Sequence, residues 1–367
     1  MQSVNIFNAN KSLTEYREKQ PLFFGPKPGL FDTVNKHYPD LWDIYKEMKS
    51  LDWDENEFDY SQCNVDFKTC PKSVYDMMIR TLAWQWEADS TASRSVLPLM
   101  APFVTDTALW TAWQRISDNE SVHAATYSEI VRMSFDDPTE VMQAVLEVKE
   151  SLARLDGVKK IFDDLYLVSH QYALGLVSED VAYDAVFMTV CALLVLERIQ
   201  FTGSFSITFT ICATNVFLAI GKAVQKIAQD ELEVHVKFDK SVLNHLMATQ
   251  RGRDAMERLK PRIKKLVDEV VASEFSWTDN LFSEGRSLVG TNAQIVKNFI
   301  LFNAKDVYTF FGIKSDHKFP AKNPMPHVDE WINIGNTQSA PQEQDNNQYK
   351  VGVVIRDDAN QSFDVDF

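Results

Sequence analysis

Four stretches of this chain combine helical periodicity with an acidic residue set among apolar neighbours. Asp89 lies in the first, Glu120 and His123 in the second, Glu197 in the third, and Glu231 with His235 in the fourth. A carboxylate buried in such surroundings costs several kcal/mol unless it is paired or bound to a metal. Within N-E-S-V-H-A-A-T-Y at Asn119–Tyr127, the residues Glu120, His123 and Tyr127 share one helix face at about 100° per residue. Taken alone, Glu-x-x-His describes many solvated helix faces, Glu197 could pair with Arg198, and His235 reads as an ordinary histidine. Taken together and in this order, the residues match a dinuclear carboxylate site inside a helical bundle, with four helices giving carboxylates and two of them adding a histidine. Oxygen-rich ligands with two imidazoles suit iron or manganese better than zinc.

The rest of the chain predicts an all-α fold. A short helix is expected at Pro39–Leu51, and a long one opens at Pro71 and runs to about Val96, stopped by Pro98. A second long helix covers Thr105 to Met133. Two amphipathic helices follow, Thr139–Leu155 and Val158–Leu174, divided at Asp156-Gly157. Ser178-Glu179-Asp180 reads as the capped start of the helix carrying Glu197. The apolar Phe201–Ile220 segment precedes the helix with D-E-L-E-V-H at Asp230–His235. Asp254 to Ser283 forms one helix, or two joined at Pro261, and Asn292–Phe310 is expected to be the last. Residues before about Asp40 read as irregular, Pro21–Gly29 being too proline-rich for a helix. Phe201–Phe209 alternates like a strand, which predicts a local distortion of the helix there. Residues 335–367, rich in Asn, Gln and Asp, read as a flexible tail, leaving residues 1–334 as one domain.

Composition removes several function classes. There is no GxGxxG and no GxxxxGK[ST], so no glycine-rich phosphate loop is expected. A net charge of −15 argues against a nucleic-acid surface, which needs clustered Lys and Arg. Ile199–Gly221 carries no formal charge and has the length of a membrane span. Its Gln200, Gly203, Asn215 and several Ser and Thr favour a buried central helix instead, and no membrane association is expected. The N-terminus shows no signal-peptide pattern, and Cys63, Cys70, Cys191 and Cys212 show no CxxC spacing. Both features fit reduced thiols in the cytoplasm.

From P-L-F-F-G at Pro21 to its end, the chain resembles the small (beta) subunit of class I ribonucleotide reductase. The resemblance is carried by Asp89-Ser90, N-E-S-V-H-A-A-T-Y, L-E-R-I-Q-F around Glu197, I-A-Q-D-E at Ile227–Glu231 and A-P-Q-E at Ala340–Glu343. It implies a ferritin-like helical bundle with extra helices and a flexible C-terminal tail. Asp89, Glu120 and His123 would bind one metal ion, and Glu197, Glu231 and His235 the other. Two iron ions are implied, with manganese possible. That centre would activate O2 and leave a radical on Tyr127, within an apolar pocket of Phe201, Phe205 and Ile227. The radical would pass through His123, Asp230, Trp53 and Tyr349 to a large (alpha) subunit, where ribonucleoside diphosphates become deoxyribonucleotides for DNA synthesis. The resemblance also implies a homodimer, and a tail that docks on the large subunit through Phe363, Val365 and Phe367.

Two departures stand out. His235 follows Glu231 by four residues where the family's spacing is three, an insertion that a π-bulge would absorb and that could bring Glu233 closer to the site. The segment between Leu174 and Tyr183 is too short for the strand hairpin some relatives insert there. Two other functions use the same ligand pattern: a dimetal oxidase or hydroxylase acting on its own substrate, and a ferritin-like storage or structural bundle. Neither needs Tyr127, Trp53, Asp230 or the tail in these roles. Metal identity and a di- or triphosphate preference stay open on sequence alone.

Overall fold

A computed structural model of the chain describes residues 7–333. Its helices are α1 (Leu13–Arg17), α2 (Pro39–Ser50), α3 (Ser61–Thr69), α4 (Lys72–Met100), α5 (Thr107–Ser134), α6 (Pro138–Leu146) and α7 (Lys149–Ala173). They continue with α8 (Glu179–Val195), α9 (Phe201–Cys212), α10 (Leu218–Gln229), α11 (Val236–Ala248), α12 (Gln250–Leu281), α13 (Ala293–Phe310) and α14 (Pro326–Ile332). Two π-helical segments interrupt the series, π1 (Leu196–Gln200) between α8 and α9, and π2 (Asp230–His235) between α10 and α11. Among the described residues no strand forms; two isolated bridges, Phe23 with Val104 and Leu288 with Thr291, are the whole β content. The expected all-α architecture is therefore found, and no strand hairpin lies between α7 and α8.

Side-chain caps set the helix starts. Ser12 and Glu15 form a reciprocal capping box on α1. Asp106 accepts from the Ala108 and Leu109 amides, Asp137 caps α6 ahead of Pro138, and Ser178, Thr249 and Asn292 cap α8, α12 and α13. The core lies where α4 packs on α5, α7 on α8, and α12 on α7 and α13. Running through it is the continuous helix from α8 through π1 to α9, and every residue of α9 is buried. Most of the uncharged stretch noted in the sequence is thus a core element, with Ala213, Thr214 and Asn215 exposed at the turn that follows α9.

Several boundaries differ from expectation. Pro98 does not stop α4, which continues to Met100: a proline so near the C-terminus removes only one internal bond. The break expected at Asp156-Gly157 falls instead at Glu147-Val148, and Gly157 lies within α7, facing Val270. Pro261 sits inside a single helix, α12. The Phe201–Ile220 segment is split by a turn at Ala213–Phe217, where buried Phe217 takes a φ of 58° and donates its amide to Asp66 Oδ2 at 2.8 Å. The helical distortion lies at π1, immediately before the strand-like Phe201–Phe209 run. Helices α1, α3 and α14 were not anticipated, so Asn292–Phe310 is not the last.

Asp106→Ala removes the side-chain cap at the start of α5, the helix carrying Glu120, His123 and Tyr127. Urea unfolding is expected to show a loss of about 1 kcal/mol at unchanged slope; no shift in midpoint would mean the start of α5 is held by packing alone.

Candidate metal centre

Asp89 projects from α4, Glu120 and His123 from α5, Glu197 from π1, and Glu231 and His235 from π2. None of the six is more than 3% exposed. Their ligand atoms fall into two groups, Asp89–Glu120–His123–Glu231 and Glu120–Glu197–Glu231–His235, each with all atoms within 4.8 Å of one another. Glu120 and Glu231 belong to both, the positions that bridging carboxylates take in a two-metal site.

The four-residue spacing of Glu231 and His235 is accommodated as the insertion required. π2 spans Asp230–His235, with the Val236 amide bonded to the Glu231 carbonyl five residues back. His235 Nδ1 then lies 2.8 Å from Glu231 Oε2 and 3.6 Å from Glu120 Oε1. π1 does the same at Glu197: the Phe201 amide bonds the Leu196 carbonyl. Arg198 points away from Glu197 and reaches Asp306 at 3.2 Å. Glu233 is exposed on the outer side of π2, in a surface cleft with Arg198, Lys237 and Lys240, and the bulge does not draw it into either group.

Polar atoms in this cluster are short of partners. Both Asp89 oxygens, Glu120 Oε2, Glu197 Oε2, Glu231 Oε1, His123 Nδ1 and His235 Nε2 are buried without a hydrogen bond. His123 Nδ1 and Glu231 Oε1 stand 2.8 Å apart but lack hydrogen-bond direction. Such orphaned, converging lone pairs are what a pair of divalent cations would satisfy, so the donor set fits a dimetal centre.

Protonation tells the same story. Burial, reinforced by Glu120, pushes Asp89 well above the usual carboxylate range, and burial with Glu231 does the same to Glu197. Burial and the Glu231 charge raise Glu120 to about 8. Burial would also raise Glu231, but His235, a hydrogen bond from Glu197 and His123 hold it well below that range. Both imidazoles are disfavoured as cations by burial, yet Glu231 outweighs that and raises each. Protons therefore hold the metal-free cluster together around one ionised carboxylate.

His123 connects the cluster outward. Trp53 Nε1 donates to Asp230 Oδ2 at 2.8 Å, and His123 Nε2 meets the same oxygen at 3.1 Å. The Trp53 and His123 rings lie nearly parallel, with centroids 5.9 Å apart. Tyr127 is fully buried with its hydroxyl unpartnered, and burial and Asp89 raise its pKa well above the usual phenol value. Phe201, Phe205 and Ile227 are all buried, with Phe201 and Phe205 stacked at 5.4 Å. Tyr349, Phe363, Val365, Phe367 and the Ala340–Glu343 stretch lie outside the described residues.

Sequence reading missed Asp239, one turn beyond His235, fully buried and raised by burial with His235 acting against it. Its spacing of four from His235 was the available signal, hidden because Lys237-Phe238-Asp239-Lys240 reads as a solvated face. It also missed the buried pair of Arg154 and Glu274, 120 residues apart, for which no local pattern exists.

Residues 30–324 match the family described as ribonucleotide reductase, small chain. The chain belongs to that family. Ribonucleoside-diphosphate reductase subunit beta of Haemophilus influenzae is 25% identical over 351 residues, covering 92% of this chain and 93% of its own length. The subunit beta of Enterobacteria phage T4 is 23% identical over 363 residues, covering 92% and 93%. Among solved structures, the ribonucleotide reductase R2 subunit from Clostridium botulinum superposes with a TM-score of 0.76 at 17% identity, covering 90% of this chain and 98% of that one. The dimanganese(II)-NrdF of Streptococcus sanguinis gives 0.64 at 18% identity, covering 79% and 94%. These two likenesses establish the ferritin-like helical fold. Family membership makes the chain a small subunit of an oxidoreductase that works with a large subunit.

The raised groups bind protons more tightly folded than unfolded, so their stabilising contribution is present at low pH and lost as pH rises. Glu231 runs the other way and is a single group against five. Metal-free protein is expected to lose thermal stability as pH rises from about 4.5, where an unfolded glutamate titrates, to about 8, where Glu120 does. Saturating Mn(II) should reverse the trend by displacing those protons. Melting curves of metal-free protein that are flat or climb over this range would contradict the assignment.

Proposed function

We propose that this chain is the radical-generating subunit of an aerobic ribonucleoside-diphosphate reductase, with Tyr127 as the radical site. The observation that carries this reading is a cluster of six buried ligand residues with partnerless donor atoms at one end of a hydrogen-bonded line, His123–Asp230–Trp53, which starts on α5, the helix that also carries the buried Tyr127. Asp89, Glu120 and His123 would hold one ion; Glu197, Glu231 and His235 the other, with Glu120 and Glu231 shared. Two iron ions there, or manganese in their place, would activate O2 and supply the oxidising equivalent for Tyr127.

The chain's own residues do the rest. Oxidation of Tyr127 would release the proton on Oη, and Asp89, whose charge acts on that phenol, would take it up once metal binding has deprotonated that carboxyl. Phe201, Phe205 and Ile227 keep water and reductants from the radical. Asp230 accepts from His123 Nε2, which leaves Nδ1 as the ligating lone pair, and from the Trp53 indole, joining the metal side to the protein's outer layer. Tyr349 continues that path, and Phe363, Val365 and Phe367 dock residues 335–367 on the large subunit, with residues 1–334 forming the metal-binding domain. The subunit works as a cytoplasmic homodimer. A dimetal oxidase acting on its own substrate has no use for the Trp53–Asp230–His123 line.

Loading metal-free protein with Fe(II) and O2 is expected to give an organic-radical EPR signal in the wild type. Tyr127→Phe should abolish the signal with both ions still bound, and a persisting signal would place the radical on another residue. Trp53→Phe and Asp230→Asn should keep the radical while deoxyribonucleotide formation with the large subunit falls to background; undiminished turnover would remove that line from the reaction.

A further inference from the structure

A π-helical turn takes in one residue more than an α turn, which displaces the side chains it carries. In π1 the last two carbonyls are met by side chains. Thr202 Oγ1 donates to the Ile199 carbonyl at 2.7 Å, a local bond of the kind Ser206 makes to Gly203. The Gln200 carbonyl instead accepts from Arg154 Nη2 at 3.0 Å, a residue on α7 that is 46 positions away. Gln200 answers with its own side chain, Nε2 donating to the Arg154 carbonyl at 2.6 Å. The end of π1 is thus clipped to α7 in both directions.

Arg154 is 1% exposed, and every polar atom of its guanidinium is used. Nε and Nη2 grip the Glu274 carboxylate at 2.9 and 2.8 Å, Nη1 reaches Ser204 Oγ at 3.0 Å, and Nη2 also holds the Gln200 carbonyl. The Trp84 and Trp277 rings cover its two faces at 3.8 and 3.9 Å. Trp84 sits on α4, five residues before Asp89. At Gly203, a Cβ would come 2.9 Å from Glu274 Oε2, so the absence of a side chain there lets the carboxylate approach α9. A buried ion pair is a poor way to gain stability compared with apolar packing of equal volume. What Arg154 offers that a leucine cannot is a fixed, multi-pronged donor for one particular carbonyl.

We propose that Arg154 is a positioning residue for the metal centre: it fixes the end of the π-helical turn that carries Glu197, and so sets where that carboxylate stands. The proposal rests on the dimetal reading above. It assigns no contact between Arg154 and a metal ion; the effect passes through the backbone from Gln200 to Glu197, three residues earlier. The ion that Glu197 serves depends on this clip, and the ion held by Asp89 and His123 depends on it much less.

Full-length protein carrying Arg154→Lys, or the paired change Arg154→Met with Glu274→Leu, tests this by anaerobic Mn(II) titration with EPR and thermal melting. The lysine keeps a counter-charge for Glu274 but cannot reach Glu274, Ser204 and Gln200 together. The paired change removes both charges, so no bare carboxylate is left in the core. Wild-type protein should bind two ions as an exchange-coupled pair. Each variant should bind one ion with unchanged affinity and the other roughly 10–100-fold more weakly, the loss seen when an outer partner of a metal ligand is removed. Its EPR spectrum at limiting metal should change from that of a coupled pair to that of an isolated ion. Either variant binding two ions with wild-type affinity, or losing both ions together in step with its thermal stability, would overturn the proposal. Wild-type protein that forms no coupled pair would overturn the dimetal reading, and this inference with it.

Discussion

Six ionisable side chains are buried in one helical core, and most of the structure answers to that burial. Their charges cannot all be expressed at once without metal: Glu231 stays ionised between two imidazoles while Asp89, Glu120 and Glu197 are driven toward their neutral forms. Such a cluster survives only inside a large apolar frame, which the packing of α4 on α5, α7 on α8 and α12 on α7 and α13 provides, with the wholly buried α9 set against α4, α10 and α13. Residual polar atoms without partners are tolerated in native cores when a ligand completes them. The fold's stability and its metal-binding capacity are therefore opposed in the metal-free state and aligned in the loaded one.

Both π-helical turns occur where ligands are displayed, one at Glu197 and one spanning Glu231 and His235. The second also separates neighbouring residues by task. Glu231 turns into the cluster, while Asp230, the residue before it, turns toward Trp53 and the back of the His123 ring. One distorted turn thus serves the metal site on one side and the transfer line on the other. The first turn reaches outward differently, through the Gln200 carbonyl to Arg154, tying the ligand layer to α7 and α12.

Features carried by local spacing were legible in the sequence. Glu120, His123 and Tyr127 on one helix face, the capped start at Ser178, and the need for a bulge between Glu231 and His235 all depend on residues a few positions apart. Gly157 and Pro98 misled because each is a poor helix former by propensity, while packing around α7 and the nearness of the α4 terminus decide the outcome. The distortion expected within Phe201–Phe209 falls just before it, at π1, since strand-like alternation there reflects burial on every side of α9 and carries no backbone signal. The spacing of Asp239 from His235 was masked by the lysines around it, and the Arg154–Glu274 pair was invisible because no local pattern links residues 120 positions apart.

The most direct measurement is anomalous X-ray scattering from crystals grown with Mn(II) or anaerobic Fe(II). Two peaks are expected, one enclosed by Asp89, Glu120, His123 and Glu231, the other by Glu120, Glu197, Glu231 and His235, with Glu233 bound to neither. A single peak, or an ion taken by Glu233 on the outer side of π2, would contradict a two-metal centre built from these six residues.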